Sequence, residues 1–198
     1  MRIHRDEKQS AEAPPSSLRA ALEHEVALGR MKRPLFYEYV EEGFAPQTVA
    51  RILYSIAPPY LQAKYRKPLF VLFGLMTAYT AFRMLGVPNA SFWGIGAVMP
   101  ALLISIAYLY LGFLAMRFSP GALRAVAAWQ VFALLHLPTR LPRMPSDTAL
   151  IDLGLTVGIL FLAYYLHTRL YPGLSWLGQP RRTPDGSFGF AGLMESDE

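Results

Sequence analysis

The chain contains no cysteine. Disulfides, thiolate metal sites and cysteine nucleophiles are therefore excluded, and the redox compartment is left undetermined. Charge is scarce as well: 17% of the 198 residues are Asp, Glu, Lys or Arg, against 53% hydrophobic. Between Arg83 and Arg117 there is no charged residue and no histidine, so Met84 to Met116 is apolar apart from a turn at Val87-Pro88-Asn89. A run of this length exceeds a soluble core helix and predicts a protein that lives in a bilayer. Also missing are a His-Glu-x-x-His run, a Gly-x-x-x-x-Gly-Lys phosphate loop and a Gly-x-Ser-x-Gly elbow, so no catalytic motif is found. The first fifteen residues have no apolar stretch of the kind a signal peptide carries, and insertion is expected to use internal segments.

What is present divides into four parts. Residues 1–15 are polar, end on Pro14-Pro15, and read as a disordered leader. Residues 16–67 are charged with helical periodicity. Leu18, Ala21, Leu22 and Val26 form one apolar stripe, and Leu35, Phe36, Tyr39 and Val40 a second that stops at Gly43. Pro46 suits the first turn of a following helix bearing Val49, Ile52, Leu53 and Ile56. The region predicts two or three short helices hinged at Gly43 and at Pro58-Pro59, forming a cytoplasmic helical hairpin. Residues 68–171 form the membrane domain, with crossings at 68–87, 91–116, 121–138 and 148–167. Each needs about 20 residues to span, and the third is the least secure because Arg124 and Arg140 bracket a short apolar run. Residues 172–198 are expected to be a disordered cytoplasmic tail.

The formal net charge is +5, but the basic residues lie beside segment ends rather than in a patch of their own, which argues against nucleic acid. Arg51, Lys64, Arg66 and Lys67 precede the first segment, Arg117 and Arg124 stand between the second and third, and Arg169, Arg181 and Arg182 follow the fourth. The opposite side has Arg83, Arg140 and Arg143. By the positive-inside rule both termini are expected in the cytoplasm, in the inner membrane of a cell.

Two patterns within the segments carry the candidate sites. Small residues recur at helical spacing at Gly74 and Ala78, at Ala97, Ala101, Ser105 and Gly112, and at Gly154 and Gly158. Such residues let helix backbones approach closely in lipid, and intrachain packing is the expectation for each seam, with the last pair a candidate contact for a second protein. Opposite that pair runs a polar stripe of Asp152, Thr156, Ala163 and His167. An aspartate at the centre of a membrane helix costs about 2.5–3.5 kcal/mol. Asp152 lies about 7–8 Å from its helix start, within reach of His136, Arg140 and Arg143. This cluster predicts a tie between the third and fourth segments, with a proton or anion site as the functional reading. Gln130 is expected to make an interhelical hydrogen bond, and Arg83 to snorkel to the headgroups. His136 and His167 fall at opposite faces and cannot share a metal or haem. No cofactor or metal is expected.

The sequence thus predicts an all-α polytopic membrane protein, a four-helix bundle with a short N-terminal cytoplasmic hairpin. Its expected role is non-enzymatic: an accessory, scaffold or assembly subunit that meets lipid, and a protein partner or second copy, through its small-residue seams and cytoplasmic helices. The alternative is a small transporter or channel subunit with a polar path along Asp152, Thr156 and His167.

Overall fold

A computed structural model describes residues 15–85, 94–140, 146–182 and 186–188. Among them the protein is all-helical, with α1 Pro15–Ala27, α2 Lys32–Glu41, α3 Pro46–Ser55, α4 Pro59–Leu85, α5 Gly94–Met116, α6 Pro120–Arg140 and α7 Ser146–Leu170. The chain divides into two compact units, Met1–Pro59 with Gly173–Glu198, and Tyr60–Pro172.

The first unit packs α1 and α2 against α3. α3 begins at Pro46, whose missing N–H is no loss in a first turn, and its buried face is Val49, Ala50, Leu53 and Tyr54. From α1 come Leu18, Leu22 and Val26, and from α2 Leu35 and Phe36, all buried. Both α1 and α2 end by the same device. Gly29 (φ +86°) and Gly43 (φ +98°) are left-handed, and the amides of Arg30 and Phe44 reach back to Glu25 O and Tyr39 O at 3.2 and 3.1 Å. A left-handed glycine makes this closure without a Cβ clash. The stops read from Gly43 and Pro46 therefore fall where expected.

The tail departs from expectation. Residues 173–182, read as disordered, contain a turn closed by an antiparallel bridge between Leu174 and Pro180, and Arg182 pairs with Phe188. Leu174 is buried. Gly173 lies so close to Tyr54 that a Cβ there would stand 2.1 Å from the ring. The physical reason is the apolar face of α3, which α1 and α2 alone do not cover.

In the second unit α6 packs against both α5 and α7. Helix α4 runs antiparallel to α5 and α7: Tyr79 meets Tyr108 at 5.9 Å, and Tyr65 meets Tyr165 at 6.3 Å. Helix α4 begins at Pro59 rather than at Pro68, which stands inside it. The charges of Lys64, Arg66 and Lys67 mark the edge of the apolar stretch but do not stop a helix. The α5–α6 turn places Phe118 in the left-handed region at φ +56°, a position normally given to glycine. Ser119 accepts from the Ala122 amide at 3.4 Å, and Pro120 opens α6. Among the described residues one helix, over Asp147–Leu170, is long and apolar enough to cross a membrane. Four crossings do not follow from helix length and composition alone.

Candidate functional site: a polar network inside the bundle

The stripe on α7 faces inward. Asp152, Thr156, Ala163 and His167 are all buried, as a repeat of three to four residues requires for one helical face. Leu150, Val157 and Phe161, on other faces of the same helix, are exposed.

Asp152 is held by Arg83, not by the groups expected. Arg83 Nε donates to Oδ1 at 2.9 Å and a terminal nitrogen donates to Oδ2 at 3.1 Å. The fork-on-fork geometry is the strongest form of such a pair. Asp152 is 1% exposed and the Arg83 side chain 30%. The same terminal nitrogen donates to Tyr79 Oη at 2.7 Å, and the guanidinium lies 5.0 Å from the centre of the Tyr79 ring. The arginine expected to snorkel is turned into the bundle, because the acid across from it offers two acceptors where a headgroup would otherwise be sought. The tie runs from α7 to α4, not from α7 to α6.

From Tyr79 the network continues by ring contact to Tyr108 on α5, which lies 6.0 Å from Trp129 on α6. Gln130 Nε2 donates to Tyr108 Oη, the interhelical hydrogen bond expected of Gln130. All four helices of the unit are thus joined through Asp152, Arg83, Tyr79, Tyr108 and Gln130. Asp152, Arg83, Tyr108 and Gln130 each bond a partner on a neighbouring helix, and unpaired burial of any of them would cost free energy. Thr156 stays local, its hydroxyl donating to Asp152 O at 2.7 Å.

The remaining candidates separate from this network. His136 is exposed, with Nδ1 3.1 Å from Phe132 O and its ring on Phe132 at 4.1 Å. Arg143 and the side chains of Arg140, Ala97 and Ala101 lie outside the described residues. His167 packs its ring 5.8 Å from Tyr171, whose hydroxyl donates to Phe118 O at 2.5 Å. That contact pins the α5–α6 turn to the end of α7. Among the described residues no group of His, Asp and Glu could hold a metal ion.

The seams divide as well. At Gly112 an added Cβ would lie 2.9 Å from Phe73 and 3.1 Å from Met76, so these two α4 side chains pack onto α5 at that glycine. At Gly74, Gly154 and Gly158 it would meet nothing within 4 Å, and Ala78 is exposed while Ser105 is half-buried. Intrachain packing, the expectation at those glycines, is therefore not what they do: their faces point out of the unit.

Sequence reasoning missed two members of the network, Tyr79 and Tyr108. Tyr108 stands between small residues on α5, and a hydroxyl in the middle of an apolar segment is the signal that calls for a partner. No protein-family model, no curated protein and no solved structure matches the chain. The geometry is what a functional reading rests on.

Proposed function

We propose that α4 to α7 form a four-crossing bundle in the inner membrane, with the first unit in the cytoplasm, and that the protein is a non-enzymatic accessory or scaffold subunit. The observation that carries the membrane reading is the inversion of the second unit. Large apolar side chains are exposed on every helix: Phe70 and Val71 on α4, Leu103 and Ile106 on α5, Phe132 and Leu135 on α6, Leu150 and Phe161 on α7. Asp152, Gln130 and Thr156 are inside. An apolar exterior on all sides of a bundle suits lipid and not water. Parity adds support. The first unit is built from both ends of the chain, with Gly173 against Tyr54 and Phe188 against Phe36 at 5.6 Å. Both ends must then lie on one side, which favours an even number of crossings over α7 alone.

The scaffold reading rests on the state of Asp152. Its carboxylate is occupied by Arg83 in a closed fork, and buried Ile159, Ala163 and Leu166 stand between Thr156 and His167. An ion path needs an exchangeable group and continuous polar lining, and this stripe offers neither. The outward faces at Gly74, Gly154 and Gly158 are available to another helix.

Single cysteines placed at Ser10, Asn89, Ser146 and Ser187 of this cysteine-free chain test the topology. An impermeant maleimide added to intact cells should label Asn89 and Ser146 only; labelling at Ser10 or Ser187 ends the four-crossing reading. Asp152→Asn tests the role. A variant that folds and assembles yet abolishes the cellular activity points to transport rather than scaffolding.

A further inference from the structure

The contacts of α4 with α5 and α7, together with that of Tyr171 with Phe118, bring six cations to one end of the second unit: Lys64, Arg66, Lys67, Arg117, Arg124 and Arg169. Between Gly43 and Pro184 the sequence has two acids, Asp147 and Asp152, both at the start of α7 and so at the other end.

Three of these arginines share a geometry. Arg66 lies over Phe70 at 5.9 Å, Arg117 over Phe113 at 4.7 Å and Arg169 over Tyr165 at 5.7 Å. Each ring is four residues from its arginine, always toward the middle of the helix, and each ring is exposed. The device occurs on three different helices. A guanidinium laid on a ring keeps its N–H edge free to meet an anion, and the planar fork matches two phosphate oxygens. Arg83 on Tyr79 supplies an internal template, since there the edge of the fork is filled by the Asp152 carboxylate. At the basic end none of the three arginines pairs with a carboxylate among the described residues.

We infer that this end is a binding surface for anionic phospholipid headgroups, with Arg66, Arg117 and Arg169 each taking a phosphate while the ring below contacts the first carbons of the acyl chains. The inference rests on the membrane reading proposed above, which puts the apolar side of each ring at the acyl boundary. Charge complementarity names the occupant: each cation held at an anionic surface favours it about fivefold. An exposed ring under each cation favours an amphiphile over a soluble anion.

The test uses the full chain in neutral detergent, titrated with phosphatidylglycerol or phosphatidylcholine, with thermal unfolding and lipid retention in native mass spectrometry as readouts. Phosphatidylglycerol should raise the midpoint and stay bound, and phosphatidylcholine should do so much less. Arg66→Gln with Arg117→Gln and Arg169→Gln should cut that preference by roughly tenfold or more. Arg19→Gln with Arg30→Gln and Arg33→Gln, an equal loss of charge in the first unit, should leave it intact. If the triple variant does not fold, the three single variants should each lose part of the preference, and Arg117→Lys should lose more than charge alone predicts. No preference in the wild type, an equal loss in the first-unit control, or the same stabilisation by inorganic phosphate would each overturn the inference. A chain that stays soluble without detergent would instead overturn the membrane reading, whereas a detergent-requiring chain indifferent to lipid charge sinks this inference alone.

Discussion

The two units of this protein solve the same problem with opposite surfaces. In the first, apolar residues from three helices and the tail are buried, while charges stay outside, where Arg30 reaches Glu25 at 3.0 Å and Glu38 at 2.6 Å. Those pairs are exposed and contribute little, so stability comes from the buried faces. In the second, the large apolar groups are on the outside and the centre holds a carboxylate, a guanidinium edge, two phenols and an amide, with Asp152–Arg83 and Tyr108–Gln130 bonded across helices and Tyr79 bonded to Arg83 within α4. Apolar burial drives assembly in water, whereas helices already in an apolar solvent are held by packing and by polar ties. The contrast is what the membrane topology proposed above requires of one chain that meets two solvents.

The sharpest way to break that contrast is at Arg83 and Asp152. Asp152→Leu leaves a half-buried guanidinium without its anion, and Arg83→Leu leaves a buried carboxylate; each should cost about 3–5 kcal/mol, read as a lowered melting temperature in detergent. The double replacement Arg83→Leu with Asp152→Leu should recover most of that loss, because an apolar pair of similar volume replaces a charge pair. Without recovery, the pair would be serving something besides a structural tie.

Next in size is Gly173→Ala. Any Cβ there collides with the Tyr54 ring at 2.1 Å, and Tyr54 is buried. A loss of about 1–3 kcal/mol is expected, visible as rapid proteolysis after residue 172 while the second unit keeps its melting behaviour. Equal loss in both units would show that they do not unfold separately.

The third prediction is a pH effect confined to the first unit. Lys32 Nζ donates to Ile56 O at 2.5 Å, at the end of α3, and burial pulls its ammonium down to about 8. A lysine that deprotonates more easily when folded penalises the folded state while charged. Stability should therefore rise with pH from about 8 toward the unfolded value of about 10.4, at up to about 1.4 kcal/mol per pH unit. Tyr54 opposes this above about pH 10, since burial pushes its phenol up to about 12 and the unfolded chain then loses the proton first. Lys32→Met should flatten the rise between pH 8 and 10. Denaturant unfolding across that range is the measurement, and an unchanged slope would place the titration elsewhere.

The glycines on the second unit give the smallest effects and the finest distinction. Gly112→Ala must displace the ends of Phe73 and Met76, which are flexible, for about 1 kcal/mol. Gly154→Ile with Gly158→Ile should leave the melting temperature of the isolated protein nearly unchanged, since nothing stands within 4 Å. The same pair should abolish crosslinking to a partner or second copy if that face is an interface, and crosslinks that survive it would assign the face to lipid.

Much of the helical outline was legible in the sequence, because it depends on local signals. Gly43 and Pro46 fix helix ends through their own backbone limits, and Leu18, Leu22 and Val26 announce a buried face by spacing. The inward stripe on α7 was legible for the same reason. The partner of Asp152 was not. Arg83 is 69 residues away, and an arginine near a segment end looks the same whether it turns to headgroups or to an acid on another helix. The start of α4 was hidden because its first turns are polar, and a change of polarity along a helix resembles a boundary in sequence. The fold of the tail depends on Gly173 meeting Tyr54, a contact between the two ends of the chain that spacing cannot express.

That last contact carries a consequence for how the protein is made. The first unit is discontinuous, and the segment that covers Tyr54 follows α7, so a ribosome delivers α1 to α3 well before the residues that complete them. During that interval the Tyr54 face of α3 is open, and it closes only after the last helix of the second unit has been synthesised. Under the proposed membrane topology, completion of the first unit therefore reports that the chain between its halves has been placed with both ends on the same side. On the four-crossing topology proposed above, a chain inserted with one helix missing would strand its tail across the membrane and leave α3 uncovered, a form that a protease on the side of the first unit could tell from the finished protein.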